Sequence, residues 1–136
     1  VTYKEKKEFL ESYLHAEYAL QASLEEYERW KTIGTKVNQI FKTIPGGVSV
    51  ERSKVEQAAV EMASILESIE AEINAAKTAK AEILAAINKT PRKRHRELLT
   101  YRYVRRLSNA QIAEIIGKDL RTVRRVMNTA IYQFNP

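Results

Sequence analysis

The chain has 136 residues, 23 Lys plus Arg against 17 Asp plus Glu, a formal net charge of +6 and no cysteine. This length fits one domain or two very small ones. The missing cysteines exclude a disulfide framework and any Cys-based zinc or iron–sulfur site. His15 and His95 lie too far apart in sequence to suggest a ligand pair, so neither a metal nor any other cofactor is expected. Apolar residues make up 44% and Gly and Pro number only 4 and 3, enough for a core and too few for a loop-rich fold, so the chain should be ordered and mostly helical. No apolar run approaches the ~20 residues that span a bilayer. The charged opening Lys4, Glu5, Lys6, Lys7, Glu8 and Glu11 is unlike a signal peptide. A soluble, cytoplasmic protein with no membrane partner is expected; Val1 stands where a Met would open a native chain, which points to a few residues ahead of it.

In chain order, Thr2 and Glu5 form a T-x-x-E capping box, after which Leu10, Tyr13, Leu20, Leu24 and Tyr27 recur at helical spacings. Beyond Gly34 the stripe moves to Ile33, Val37, Ile40 and Ile44, predicting a bend or register shift there. Pro45-Gly46-Gly47 is the strongest turn signal in the sequence. Ser53 and Glu56 form a second capping box. Ala59, Leu66, Ile73, Lys80 and Ile87 then hold one heptad position, and Val55, Met62, Ile69, Ala76 and Ile83 the other. A helix that long needs a partner along its stripe. The first helix, folded back as an antiparallel hairpin in which paired residue numbers sum to about 94–97, is the nearest one. That register sets Leu10 opposite Ile83 or Ile87, and Glu17 opposite Lys80 or Lys77. The same heptads would also serve a second copy of the chain.

The second helix should stop near Asn88, before Thr90-Pro91. Pro91 opens a helix expected to end around Leu107. Ser108 and Gln111 cap the next, which closes at Gly117, and Asp119 caps the last, running to about Gln133. Two helices joined by a short Gly-containing turn form a helix-turn-helix arrangement. Ala113 is small where they would cross, Ile112 and Ile116 face inward, and Leu120, Val123, Met127, Ala130 and Phe134 give the last helix one apolar stripe. The expected architecture is therefore all-α: a long, coiled-coil-like antiparallel hairpin over 1–89 and a three-helix helix-turn-helix domain over 90–136.

Charge divides the chain as well. Up to Ile87 there are 11 Lys/Arg and 14 Asp/Glu, whereas the last 49 residues hold 12 and 3. That asymmetry is the footprint of a polyanion-binding module joined to a part that does not bind polyanions. In a helix-turn-helix the second helix reads base edges in the major groove while other elements rest on the phosphates. Arg121, Thr122, Arg124, Arg125 and Asn128 are the base-reading candidates, since Arg suits guanine and Asn adenine. Lys93, Arg94, Arg96, Arg102, Arg105, Arg106 and Lys118 are the phosphate candidates. Tyr101 and Tyr103 read as core or interface residues rather than base-stacking platforms, and His95 as part of a solvated helix start.

Residues 96–134 resemble the C-terminal promoter-reading domain, region four, of bacterial sigma factors. The resemblance rests on Gln111-Ile112-Ala113, Gly117, Thr122-Val123 and Ala130. Arg106 departs from it, standing where a Gly often precedes the second helix, as do Gln111 for the common Glu and Lys118 at a position usually apolar. With its long helical first part and the segment Ser53 to Val55, the whole chain looks like the small sigma-like regulators of phages and prophages of Gram-positive bacteria. The resemblance implies double-stranded DNA as ligand, control of phage or prophage genes, and RNA polymerase as a candidate partner. No counterpart of the sigma region that grips the −10 element is recognisable, so a complete sigma factor is not implied. A competing reading is a helical assembly or interaction protein, such as a phage packaging subunit or polymerase adaptor, that binds nucleic acid without sequence preference. An enzyme is not expected: no Gly-x-Ser-x-Gly is present, and Gly117-Lys118-Asp119 lacks the strand and the Ser/Thr of a phosphate-binding loop.

Overall fold

The computed structural model describes the backbone of residues 1–43 and 49–136 and the side chains of residues 1–36 and 53–136. Among these the elements are all helical: α1 (Tyr3–Thr43), α2 (Ser49–Asn88), α3 (Lys93–Leu99) with a π-helical continuation (Thr100–Val104), α4 (Asn109–Ile116) and α5 (Leu120–Gln133). The two long helices are the arms of the expected hairpin. The Pro45-Gly46-Gly47 turn lies outside the described residues.

The chain divides into two compact units, residues 1–17 with 75–136 and residues 18–74. This division departs from a boundary at 89/90, and the core of the first unit explains why. Leu10, Ile83 and Ile87 are fully buried in one cluster with Leu98, Leu99, Ile112, Val123, Ile131 and Phe134. The first turns of α1 and the last turns of α2 thus belong to the same core as the short C-terminal helices. Leu10 shares that cluster with Ile83 and Ile87, the neighbours its hairpin register predicts.

Glu17 does not meet the expected lysines. Its carboxylate lies 4.0 Å from the Arg106 guanidinium, while the Lys80 ammonium sits 6.0 Å above the ring centre of Tyr13. The competing cation, Arg106, comes from the C-terminal part and lies outside the pairing of the two arms.

In the unit 18–74, α1 turns Leu20, Ser23, Tyr27, Trp30 and Gly34 inward, and α2 turns Val55, Ala58, Met62, Ile65 and Ile69 inward. The expected heptad line through Ala59, Leu66 and Ile73 is rotated out here, with Leu66 48% and Ile73 37% exposed. The two helices approach closely at Gly34, where an added Cβ would stand 3.4 Å from the Cβ of Ala58. Ser23 occupies the place expected for Leu24 and donates its hydroxyl to Glu72 Oε1 at 3.0 Å. α1 is one helix across Gly34, and Gly34 rather than Ile33 faces inward, so up to Lys36 the stripe does not shift. Nor do Ser53 and Glu56 cap α2, which starts a turn earlier at Ser49; residues 49–52 contain no Gly or Pro to stop it.

After Asn88, the Thr90 N–H donates to the Ile87 carbonyl at 2.9 Å, and Arg96 Nη1 donates to the carbonyls of Thr90 and Pro91 at 2.7 and 2.9 Å. The next helix ends before Leu107. It widens to π geometry from Thr100, the Arg105 N–H bonds the Thr100 carbonyl at 2.9 Å and the Leu107 N–H that of Tyr101 at 3.0 Å. Between them Arg106 takes a left-handed φ of 59°, a Schellman-like closure widened by one residue and made without glycine. Gly117, at φ 68°, makes the next helix end with the residue suited to it.

These two left-handed positions should respond oppositely to exchange. Arg106→Gly should raise stability by about 0.5–1 kcal/mol, because the left-handed strain of a side-chain-bearing residue exceeds the entropic cost of glycine. The partly exposed pair with Glu17, at 4.0 Å, should contribute little against this. Gly117→Ala should lower stability by about 1 kcal/mol although its Cβ would meet open space, since the clash is with its own backbone. Urea unfolding of both variants measures this.

Candidate nucleic-acid interface

α4 and α5 are set by three local devices. The Ser108 hydroxyl accepts from the Gln111 N–H at 3.2 Å while Gln111 Oε1 accepts from the Ser108 N–H at 2.9 Å. Gly117 closes α4. Asp119 Oδ1 accepts from the Thr122 N–H at 2.8 Å, and hydrogen bonding to Thr122 holds the Asp119 carboxyl below its ordinary range. The turn between the helices is Gly117-Lys118-Asp119.

α5 buries Val123, Met127, Ala130 and Ile131 and leaves Arg121, Arg124, Arg125 and Asn128 exposed. At about 100° per residue these four fall within an arc of about 100° on one side of the helix. None of the three arginines enters an ion pair among the described residues. Thr122 stands apart from this face. It is half-buried, and with Arg94, Leu98, Ile116, Lys118, Val123 and Val126 it lines a small cavity of about 110 Å³.

The phosphate candidates separate into two groups. Arg94 and Lys118 converge on that cavity from α3 and from the turn before α5, both exposed. Arg105 is exposed and lies 5.5 Å from the ring centre of Tyr101, and Lys93 lies 4.0 Å from Glu97. Arg96 and Arg102 serve the fold instead, and Arg106 is turned toward a carboxylate. Arg96 fastens the 90–91 turn. Arg102 donates to the Leu107 carbonyl at 3.2 Å and packs 5.8 Å from the Tyr103 ring centre, and Arg106 faces Glu17. A run of basic residues read along the chain cannot separate these roles, because helix geometry sends neighbours in different directions.

Two residues beside α5 come from far away in sequence. The Tyr3 hydroxyl donates to Asn128 Oδ1 at 3.1 Å, and Lys6 Nζ donates to the Tyr132 carbonyl at 2.6 Å. No local pattern announces these contacts across 125 and 126 residues; the one available hint was the lysine-rich opening of α1.

His95 also departs from its expected place. It is only 4% exposed rather than part of a solvated helix start, because it falls on the inward side of α3 with Leu98 and Leu99. Tyr103 is buried and Tyr101 half-buried, and burial pushes the Tyr103 phenol up to about 12.

In comparisons with protein-family models, curated proteins and solved structures, no match was found. Among the described residues no helix is long and apolar enough to cross a membrane.

Burial, and secondarily the Arg92 charge, lower the His95 pKa below 6.5. The unfolded chain therefore takes up a proton at His95 before the folded one does, and the stability present above pH 6.5 is lost as pH falls toward the folded value. Thermal melts compared at about pH 7.5 and about pH 5.5 should show a drop for the wild type and a smaller one for His95→Gln.

Proposed function

We propose that the chain is a sequence-specific DNA-binding regulator of transcription in which α4 and α5 act as a helix-turn-helix and α5 enters the major groove. The observation that carries this reading is the exposed arc of Arg121, Arg124, Arg125 and Asn128, mounted on a helix whose opposite side is buried. Guanidinium groups that enter no ion pair among the described residues suit guanine edges, which accept two hydrogen bonds from one arginine. Arg94 and Lys118 at the start of α5 suit the flanking phosphates. The resemblance of residues 96–134 to sigma region four favours promoter DNA, hence phage or prophage genes in a bacterial cytoplasm.

The unit 18–74 is acidic, with 9 Asp/Glu against 6 Lys/Arg, and leaves Leu24, Val60, Leu66 and Ile73 exposed. Those features favour a protein partner for this unit, RNA polymerase or a second copy of the chain.

Selection from a random duplex pool at about physiological salt, 0.15 M, tests the main reading. One short motif should be enriched, and Arg124→Ala/Arg125→Ala should abolish its enrichment, each base contact being worth about 1–3 kcal/mol. DNA recovered without a motif, or a motif unaffected by the double variant, would overturn the assignment and leave sequence-independent binding.

A further inference from the structure

The hydrogen bonds of Tyr3 to Asn128 and of Lys6 to Tyr132 fix the opening of α1 beside the C-terminal half of α5. Lys6 also lies 5.8 Å from the ring centre of Tyr132. Asn128 and Tyr132 sit on the same side of α5 as Arg121 and Arg125, spaced at three, four and seven residues. The first turns of α1 therefore border the exposed face itself, not the back of the unit.

This opening carries Lys4, Lys6 and Lys7. Cations there run against the helix macrodipole, which favours anions at that end, and Glu8 and Glu11, four residues on from Lys4 and Lys7, make no ion pair with them among the described residues. Lys6 has its partner on α5. Lys4 and Lys7 are exposed and form no ion pair among the described residues, although Glu5, which accepts from the Thr2 N–H at 3.4 Å, is close in sequence.

Near the start of α5, Arg94 and Lys118 line with Thr122 a cavity beside the exposed face rather than on it. From Thr122 to Asn128 and to Tyr132, six and ten residues on, α5 rises about 9 and about 15 Å. The two sets of basic groups therefore lie about two to three turns apart along α5.

We propose that Lys4 and Lys7 contact DNA phosphates beside the C-terminal half of α5, so that α1 extends the interface begun by α5. This rests on the reading of α5 as the DNA-binding helix. The contacts are to the backbone, and they add affinity without adding sequence preference.

The test uses the full chain and a mixed-sequence duplex of about 20 base pairs, roughly two helical turns, with binding followed by fluorescence anisotropy over a range of salt. Lys4→Ala/Lys7→Ala should weaken binding and reduce the slope of log affinity against log salt by about 2. The control Lys31→Ala/Lys54→Ala removes the same charge from exposed positions in the unit 18–74 and should leave the slope unchanged. An unchanged slope for the α1 variant, or equal losses for both variants, would overturn the proposal while the reading of α5 stands. A wild-type chain that does not bind the duplex would overturn both.

Discussion

The burial of Leu10 is the constraint on which the rest of this structure depends. It has no exposed surface and packs in one cluster with Ile83 and Ile87 of α2 and with Val123, Met127, Ile131 and Phe134 in the C-terminal part. A buried leucine stabilises by roughly 1.5–3 kcal/mol, but its larger effect here is geometric. By tying the start of α1 and the end of α2 to α3–α5, it makes the exposed side of α5 a face with fixed neighbours. Tyr3, Lys6 and Tyr13 follow from the same attachment, because they are on the turns that flank Leu10. The Phe9 ring, 6.0 Å from that of Phe134, extends the contact to the chain's last turn.

The two compact units also divide the charge. Residues 1–17 with 75–136 hold 17 Lys/Arg against 8 Asp/Glu, and residues 18–74 hold 6 against 9. The helix opening with Lys4, Lys6 and Lys7 therefore belongs electrically to the basic unit, although it lies in the acidic half of the sequence. Concentrating cations on one unit raises local attraction for a polyanion. It also costs self-repulsion, which that unit limits by placing Arg96 and Arg102 on backbone carbonyls and Arg106 opposite Glu17.

Much of the local structure was legible in the sequence. The ends of α4 and α5 were readable because Ser108, Gln111, Gly117 and Asp119 act through bonds three or four residues long, and such bonds need no knowledge of the fold. The apolar stripe of α5 was readable for the same reason of periodicity. The seam of the unit 18–74 was only half readable. Its Val55, Met62 and Ile69 line faces inward as the heptads predict, whereas Ala58, Ile65 and Glu72 face inward in place of Ala59, Leu66 and Ile73, a one-residue rotation that the heptad spacing alone does not fix. Arg106 showed itself as a departure from glycine but gave no sign of the π-helical widening before it.

The site divides along the same line. The exposed arc of Arg121, Arg124, Arg125 and Asn128 follows from helix period and burial alone. Thr122 was misplaced on that face because adjacency in sequence puts it beside Arg121, while the helix turns it toward Arg94 and Lys118. Tyr3 and Lys6 were not readable, because nothing within their own helix points to α5. Such contacts exist only once Leu10 is in place. Hydrogen exchange followed residue by residue in the wild type and in Leu10→Ala is therefore the most direct measurement. The account predicts that α5 amides from Val126 to Ile131 lose protection together with those of residues 6–13 in the variant. Retention of wild-type protection in α5 while the opening of α1 exchanges freely would contradict it, because the face would then be independent of the helix that borders it.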